Sequence, residues 1–328
     1  MKRYPRLANV LFEAPEDELE KFMSQPLSSL GSNPAEKLPP EAKELVKKPT
    51  GDDDKKIQGG TAPTFISVTK LLASQNEVGK AQSLKNVCTG VDASGWDGIN
   101  WGDPKWLIDH MKPGAKIEFK SALLGAKTTD GNVVLDGHHR WSQAFMVNPN
   151  CQVNVVFANA KSLSADETLK AVHLAILAKT GQDKTKSASG GNLFSATADD
   201  VTGYLDAAKT KIDPKSGAPS DDGVAPYVYA IMKTKGIDST EEGKKAAVDY
   251  IMSAIQKCAS TVVSGAPSRD AMPQADDETN PVDASAVMDA LSKGEINFQE
   301  PFIKKEEINK KDTVVMERWQ RLAGILKD

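Results

Sequence analysis

Residues 133–141 read Val-Val-Leu-Asp-Gly-His-His-Arg-Trp, the most informative segment of the chain. An apolar run ends there in a polar cluster, and the residues that follow favour a helix. A strand that opens into a helix through glycine exposes backbone N–H groups and the positive end of the helix, which attract phosphate. His139 and Arg140 are expected to add charge-assisted donors. The sequence therefore predicts a phosphate-binding turn at Gly137.

The same pattern also fits an ordinary strand, turn and helix whose polar residues carry no function. Residue type argues against that interpretation, because two histidines, an aspartate and an arginine around one glycine are costly to bury without a partner. Two alternatives stay open within the motif. Asp136 either helps to hold a metal ion or caps the following helix, and His138 either contacts a ligand or faces solvent.

The Gly-x-His-Arg pattern of Gly137, His139 and Arg140 resembles the phosphate-binding turn of the ParB/sulfiredoxin superfamily. The likeness extends over residues 63–160 and includes segments similar to the family's opening strand and central hairpin. The resemblance implies an α+β fold class: a small ParB/sulfiredoxin-like mixed sheet with helices, followed by an all-α C-terminal region.

The residue type at position 138 restricts which branch of the superfamily the chain resembles. Sulfiredoxins carry their catalytic cysteine at this position and chromosome-partitioning ParB proteins carry glutamate, so sulfinic-acid reduction and CTP-driven clamp closure are disfavoured. The Asp-Gly-x-His-Arg form is similar to the branch that contains free-serine kinases and ParB-like proteins of phages and plasmids. In those kinases an upstream acidic residue acts as base toward the substrate hydroxyl, and Glu77 stands at the matching position.

The resemblance implies a nucleotide-dependent phosphotransferase or a nucleoside triphosphatase; a nuclease is less favoured. ATP, ADP or CTP is the expected nucleotide, with Mg²⁺ as the metal and a small hydroxyl compound as acceptor. The phosphates are expected to contact the turn formed by Gly137, His138, His139 and Arg140. The expected catalytic residues are Glu77, Asp136 and His139, and the expected metal ligands are Asp136 and Glu77.

Composition restricts the other functions. A net charge of −4 with interspersed acidic and basic residues disfavours a general nucleic-acid coat, although a local DNA-binding patch is not excluded. The three cysteines form no Cys-x-x-Cys pair, which favours a reducing compartment. No run of about 20 apolar residues is present, so we expect no membrane span. The expected location is the cytoplasm, or a virion if the chain is phage-encoded.

Composition shifts and periodicity divide the chain into six predicted segments. These are an N-terminal amphipathic helix (1–26), a disordered linker (27–60), the ParB/sulfiredoxin-like domain (61–162), a helical domain (163–263), a second linker (264–282) and a C-terminal helical tail (283–328).

Two smaller features add expectations. Ser164 and Glu167 form a capping box that predicts a helix over residues 165–179, on which a packed His173 is expected.

The tryptophans at 96, 101 and 106 are interpreted as a loop that closes over the pocket, with a position in the core as the alternative, above all for Trp106.

The ends of the chain suggest a different function. Residues 3–12 are similar to the N-termini of some tailed-phage head proteins, and residues 317–325 to ends seen in phage virion proteins. Helical anchors tethered by polar linkers suit a protein that docks on an assembly such as a phage head. The alternative hypothesis is therefore a virion structural, internal head or scaffold-type interaction protein that retains the ParB-like module without catalysis.

Overall fold

A computed structural model describes residues 15–49, 57–59, 62–90, 99–185, 190–274 and 284–296, and within them the chain has a mixed α+β fold. The strands are β1 (Thr64–Ser67), β2 (Leu72–Ala73), β3 (Lys116–Ile117), β4 (Leu123–Thr128), β5 (Gly131–Asp136) and β6 (Gln152–Asn159). The helices are α1 (Pro15–Ser24), α2 (Leu27–Leu30), α3 (Pro40–Val46), α4 (Lys80–Thr89), α5 (Pro104–His110), α6 (His138–Val147), α7 (Ala165–Thr180), α8 (Ala198–Asp206), α9 (Pro226–Lys235), α10 (Thr240–Ala259) and α11 (Ala284–Lys293).

The strands form one mixed sheet in the order β1-β6-β4-β5-β2, with β3 paired to β6. Strands β4 and β5 are antiparallel neighbours, so a hairpin is present where the sequence predicts one. Strand β2 runs parallel to β5, with Leu72 opposite Val133 and Ala73 opposite Val134. The carboxyl ends of parallel strands meet at one edge of a sheet. The loop after β2 therefore lies beside the Gly137 turn after β5.

Both faces of the sheet are covered, and β5 shows this directly. Val134 lies in a core that includes Trp141, Phe145 and helices α4, α6, α8, α9 and α10. Val133 and Leu135 lie in a second core formed with α7, the N-terminal segment and α11. A strand buried on both faces is expected to read as a continuous apolar run, as β5 does.

The described elements after β6 are helices. Helix α7 begins at the predicted capping box, in which Ser164 Oγ accepts the Glu167 N–H and the Glu167 carboxylate accepts the Ser164 N–H. Helices α8 and α10 pack against α4 and α6 respectively. The residues predicted as a helical domain therefore share both cores with the sheet: α7 lies in the second core, and α8, α9 and α10 lie in the core that contains Val134.

The prediction of a disordered linker over residues 27–60 is wrong for residues 27–49. This segment forms α2, a 3-10 turn (Pro34–Lys37) and α3, and its sparse apolar side chains are buried against α7. Side chains from α7 and the loop after it satisfy its backbone: Leu27 N–H donates to Asp166 at 2.8 Å, and Ala35 N–H donates to Asp183 at 2.8 Å. Composition misses these partners because they lie more than one hundred residues away in the chain.

Lys170 of α7 binds the N-terminal segment through hydrogen bonds to its backbone. It is only 1% exposed. Its Nζ donates to the carbonyl oxygens of Met23 and Gln25 and forms an ion pair with Asp166 at 2.8 Å. All three ammonium N–H donors therefore have acceptors, which is the condition for burying a charge at tolerable cost.

Of the three tryptophans of the predicted loop, Trp101 belongs to the core and Trp106 is partly buried against it. Trp101 is wholly buried and meets Trp106 edge to face, with ring centroids 5.4 Å apart. Trp106 stacks on His110. The interpretation of a stacking loop over the pocket is therefore wrong for Trp101, because its ring has no exposed face. Trp96 lies outside the described residues.

Several expectations fall on residues that the structure does not describe. Residues 1–14 and 297–328 are among them, so the proposed docking of both ends on a phage assembly stays a prediction. The described part of the N-terminal helix, α1, packs Leu19, Phe22 and Met23 into the chain's own second core. Among the described helices, none combines the length and the apolar character that crossing a membrane requires.

We expect Lys170→Met to lower the free energy of unfolding by about 2 to 4 kcal/mol, because it leaves Asp166 and two carbonyl groups without their buried donor. Urea unfolding followed by circular dichroism measures this loss. The matched control is Lys47→Met, which removes an exposed ion pair with Glu44 and should change stability by less than about 0.5 kcal/mol. Equal effects of the two changes would contradict the role assigned to Lys170.

Candidate functional site

The Gly137 turn joins β5 to α6 in a conformation that only glycine adopts readily. Gly137 has φ 92° and is the N-cap of α6. A Cβ atom built there would lie 2.5 Å from Cδ2 of Leu123, which is fully buried, and 3.0 Å from the Arg140 guanidinium. Both the backbone angle and the available space therefore require glycine.

The first backbone N–H groups of α6 point out of the helix end and have no partner in the described part of the chain. The first bond of the helix runs from Trp141 N–H to the Gly137 carbonyl, at 2.9 Å. Within the described residues, the N–H groups of His138, His139 and Arg140 have no acceptor. Unpaired N–H groups at a helix start carry partial positive charge and are suited to an anion.

Arg140 is folded back over the turn. Its guanidinium donates to the carbonyl oxygen of Ser121 and to Asp136 Oδ2, the latter at 3.2 Å. The Asp136 side chain is 57% exposed, whereas that of Arg140 is 16% exposed. The Asp136 carboxylate accepts no N–H of α6, so the alternative in which it caps this helix is wrong.

His139 is anchored through one ring nitrogen. Its Nδ1 lies 3.0 Å from Ser83 Oγ, which in turn contacts Ser142 Oγ at 3.0 Å. Its Nε2 has no partner among the described residues. Burial, with smaller contributions from the charges of Arg269 and Arg140, lowers the pKa of His139 to about 4. His139 is therefore neutral at pH 7, which corrects the expectation that it adds positive charge to the free protein.

His138 belongs to the interior rather than to solvent. It is 5% exposed, and its ring meets Trp141 edge to face. Its Nε2 lies 3.4 Å from Ser74 Oγ, whose own proton is donated to the Val134 carbonyl at 2.6 Å. Burial, together with the charges of Arg269 and His139, lowers the pKa of His138 well below its usual range. Because the ring is buried, the backbone N–H is the group that His138 contributes to the turn.

Arg269 is a site residue that sequence reasoning missed, because its segment was predicted to be a linker. Its guanidinium donates to Gln75 Oε1 at 3.4 Å and to Gln274 Oε1 at 3.0 Å, and its backbone N–H donates to Glu77 Oε2 at 3.4 Å. Burial lowers the pKa of Arg269, whereas the charges of Asp136 and Glu77 raise it.

One sequence signal does point to Arg269. The chain has six arginines, at positions 3, 6, 140, 269, 318 and 321, and relies on lysine for its other basic side chains. Between residues 7 and 317 the two arginines are Arg140 and Arg269. Both of these arginines act electrostatically on His139 at the Gly137 turn.

The structure brings the predicted residue Glu77 to the same edge of the sheet as the turn. Asp136 and Glu77 both act electrostatically on the Arg269 guanidinium. No group of three or more histidine, cysteine or acidic side chains is arranged for a metal in the described part of the chain. Magnesium commonly uses one or two protein carboxylates and takes its other ligands from phosphates and water. Asp136 and Glu77 therefore remain the predicted Mg²⁺ ligands.

A buried pair outside the turn holds the segment that carries Arg269. His173 and Asp183 are both fully buried, and His173 Nδ1 lies 2.8 Å from Asp183 Oδ1. His173 Nε2 lies 2.9 Å from the carbonyl of Ala271 and donates to it, since a carbonyl oxygen only accepts. The predicted packed position of His173 is confirmed, and its partner Ala271 is two residues from Arg269.

Replacing Gly137 by alanine should cost more stability than the same change at Gly181. Both glycines have positive φ, but a Cβ at Gly181 meets nothing within 4 Å. The unfavourable backbone angle should cost about 1 kcal/mol at each site. Overlap with Leu123 should add about 1 to 3 kcal/mol at Gly137 only. Thermal unfolding of the two variants measures the difference, and equal losses would contradict the packing described for the turn.

The stability of the fold should fall on acidification because of His139. Its pKa is near 6.5 when unfolded and about 4 when folded, so between these values the unfolded chain binds more protons. Stability is therefore lost as the pH falls from about 6.5 to about 4 and the loss is constant below that, reaching on the order of 3 kcal/mol.

Denaturant unfolding from pH 7 to pH 4 measures this dependence in wild type and in His139→Asn. Asparagine keeps a polar group near Ser83 but does not titrate, and the contribution of His138 is common to both proteins. A smaller pH dependence in the variant is expected. Parallel curves would contradict the assignment to His139.

None of the protein-family models, curated proteins or solved structures compared with the chain matches it.

Proposed function

We propose that the chain binds a nucleoside di- or triphosphate, of which ATP, ADP and CTP are the candidates, at the Gly137 turn and transfers a phosphoryl group to a small hydroxyl acceptor or to water. The observation that carries this proposal is the start of α6. Three backbone N–H groups, for which the described residues provide no acceptor, follow a glycine that leaves no side chain between them and a ligand, and an arginine is folded against the same turn.

Arg140 supplies a fixed positive charge to this turn. Its contacts with Ser121 and Asp136 hold the planar guanidinium in place while they leave further N–H donors available, since the group has five. Charge-assisted bonds to phosphate oxygens are roughly twice as strong as neutral ones. Because the group is already positioned, little side-chain entropy is lost when an anion binds.

In the proposed reaction, the bond between the terminal phosphorus and its bridging oxygen breaks as the acceptor oxygen bonds to that phosphorus. The proton of the acceptor hydroxyl goes to the carboxylate of Glu77, and the leaving phosphate keeps the bonding electrons. The N–H groups of α6 and Arg140 stabilise the charge on the phosphate oxygens. Mg²⁺ held by Asp136 and Glu77 would add charge neutralisation.

His139 is the second candidate for proton transfer. Its ring is fixed through Ser83, its Nε2 has no described partner and it is neutral at pH 7, so it exchanges a proton more readily than a permanently charged group. A phosphate dianion beside it would favour the protonated form. Nucleotide binding would then be accompanied by proton uptake below neutral pH.

Isothermal titration with ATP, ADP and CTP in the presence of Mg²⁺ tests the proposal. We expect at least one nucleotide to bind and Arg140→Gln to weaken binding by roughly 10- to 100-fold, as expected for loss of charge-assisted bonds. Lys112→Gln is the matched control, because it removes a positive charge from an exposed ion pair with Asp109. A folded wild-type protein that binds none of the three nucleotides would overturn the proposal.

A further inference from the structure

We propose that Arg269 is a second phosphate-binding residue, and that the site therefore selects ligands with two or three linked phosphates over ligands with one. This inference rests on the proposed nucleotide site at the Gly137 turn. It adds a named residue from a distant part of the chain and a physical reason for the site to prefer linked phosphates over a single phosphate.

The segment after α10 brings Arg269 to the site along a defined path. It follows β2, with Ala73 N–H bonded to the Thr261 carbonyl and Val263 N–H bonded to the Ala73 carbonyl, both at 3.0 Å. It then contacts the loop after β2, where Asn76 donates its backbone and side-chain N–H groups to the carbonyls of Pro267 and Ala266, both at 2.9 Å. The backbone at Arg269 is thus fixed by the sheet.

The two arginines are anchored on the two strands that flank β5. Arg140 is bound to the Ser121 carbonyl, just before β4, and Arg269 to Gln75, just after β2. In the sheet order β4-β5-β2, the start of β4 and the end of β2 lie at the same edge as the end of β5. The Gly137 turn and the first N–H groups of α6 therefore lie between the two anchoring points.

The charge of Arg269 is not balanced by a contact ion pair. Both of its guanidinium partners are neutral amide oxygens, and no carboxylate among the described residues lies within ion-pair distance of it. The nearest counter-charges, Asp136 and Glu77, act on it without direct contact, so they offset only part of the hydration that this half-buried cation loses. An anion bound at the turn would supply that counter-charge, and the donors that Gln75 and Gln274 leave unused are available to it.

Residue type also supports a ligand-binding role. The chain carries lysine at its other basic positions between residues 7 and 317 and arginine at these two. A surface charge or a simple ion pair needs only an ammonium group. A planar fork of N–H donors matches two phosphate oxygens at once, which lysine does not.

The test compares inorganic phosphate with pyrophosphate and triphosphate, because these probes do not depend on which base the site prefers. By isothermal titration, wild type should bind pyrophosphate at least about 10-fold more tightly than phosphate. Arg269→Gln should reduce this preference to less than about 3-fold and leave phosphate affinity within about 3-fold of wild type. Arg140→Gln, by contrast, should weaken binding of both probes.

Gln274→Ala is the matched control, because it removes one contact of Arg269 without removing the charge. It should keep most of the preference for pyrophosphate. A second measurement uses the unaltered protein: modification of Arg269 by butanedione, read by peptide mass spectrometry, should slow at least about 5-fold with saturating pyrophosphate. This readout does not depend on whether Arg269→Gln folds.

The outcomes separate the two proposals. If wild type binds no phosphate compound, the nucleotide site itself is overturned and this inference with it. If wild type prefers pyrophosphate but Arg269→Gln keeps that preference, or if pyrophosphate does not protect Arg269 from modification, only the role of Arg269 is overturned.

Discussion

The candidate site depends on the parallel pairing of β2 with β5. Only two residue pairs form it, Leu72 with Val133 and Ala73 with Val134, yet it fixes which end of β2 lies beside the Gly137 turn. An antiparallel arrangement would carry the loop after β2 to the opposite edge of the sheet and take Glu77 with it. The same short strand also guides the segment that bears Arg269. One small element therefore assembles residues from three distant parts of the chain.

The buried histidines of the site are neutral at physiological pH, whereas its arginines keep their positive charge. Desolvation lowers the pKa of both His138 and His139, and nearby guanidinium groups add to the effect, so the rings are neutral at physiological pH. Arginine stays protonated even when it is half-buried. The positive charge of the site therefore comes from two groups that do not titrate near neutrality. The pH dependence of phosphate binding should therefore come from the ionisation of the ligand and from protonation of His139 in the complex, and not from the arginines.

How far the sequence predicted the structure depended on how local each signal was. The strand, glycine and helix around Gly137, the β4–β5 hairpin and the Ser164 capping box follow from residues close together in the chain, and all three are present. Arg269 and Glu77 are 192 residues apart, and their contact leaves no periodic pattern. Polar composition suggested linkers for both the segment of Arg269 and residues 27–60. In residues 27–49 and at Arg269, buried partners elsewhere in the chain supply the acceptors and apolar surface that composition does not reveal.

The contact between Lys170 and the N-terminal segment also determines when this segment can complete its folding during translation. Met23, whose carbonyl accepts from Lys170, precedes it by 147 residues. At usual translation rates the segment therefore waits roughly 7 to 30 s after its own synthesis before α7 is made. During that interval Leu19, Phe22 and Leu27 have no α7 to cover them, so these side chains lack part of the apolar surface that buries them in the folded protein.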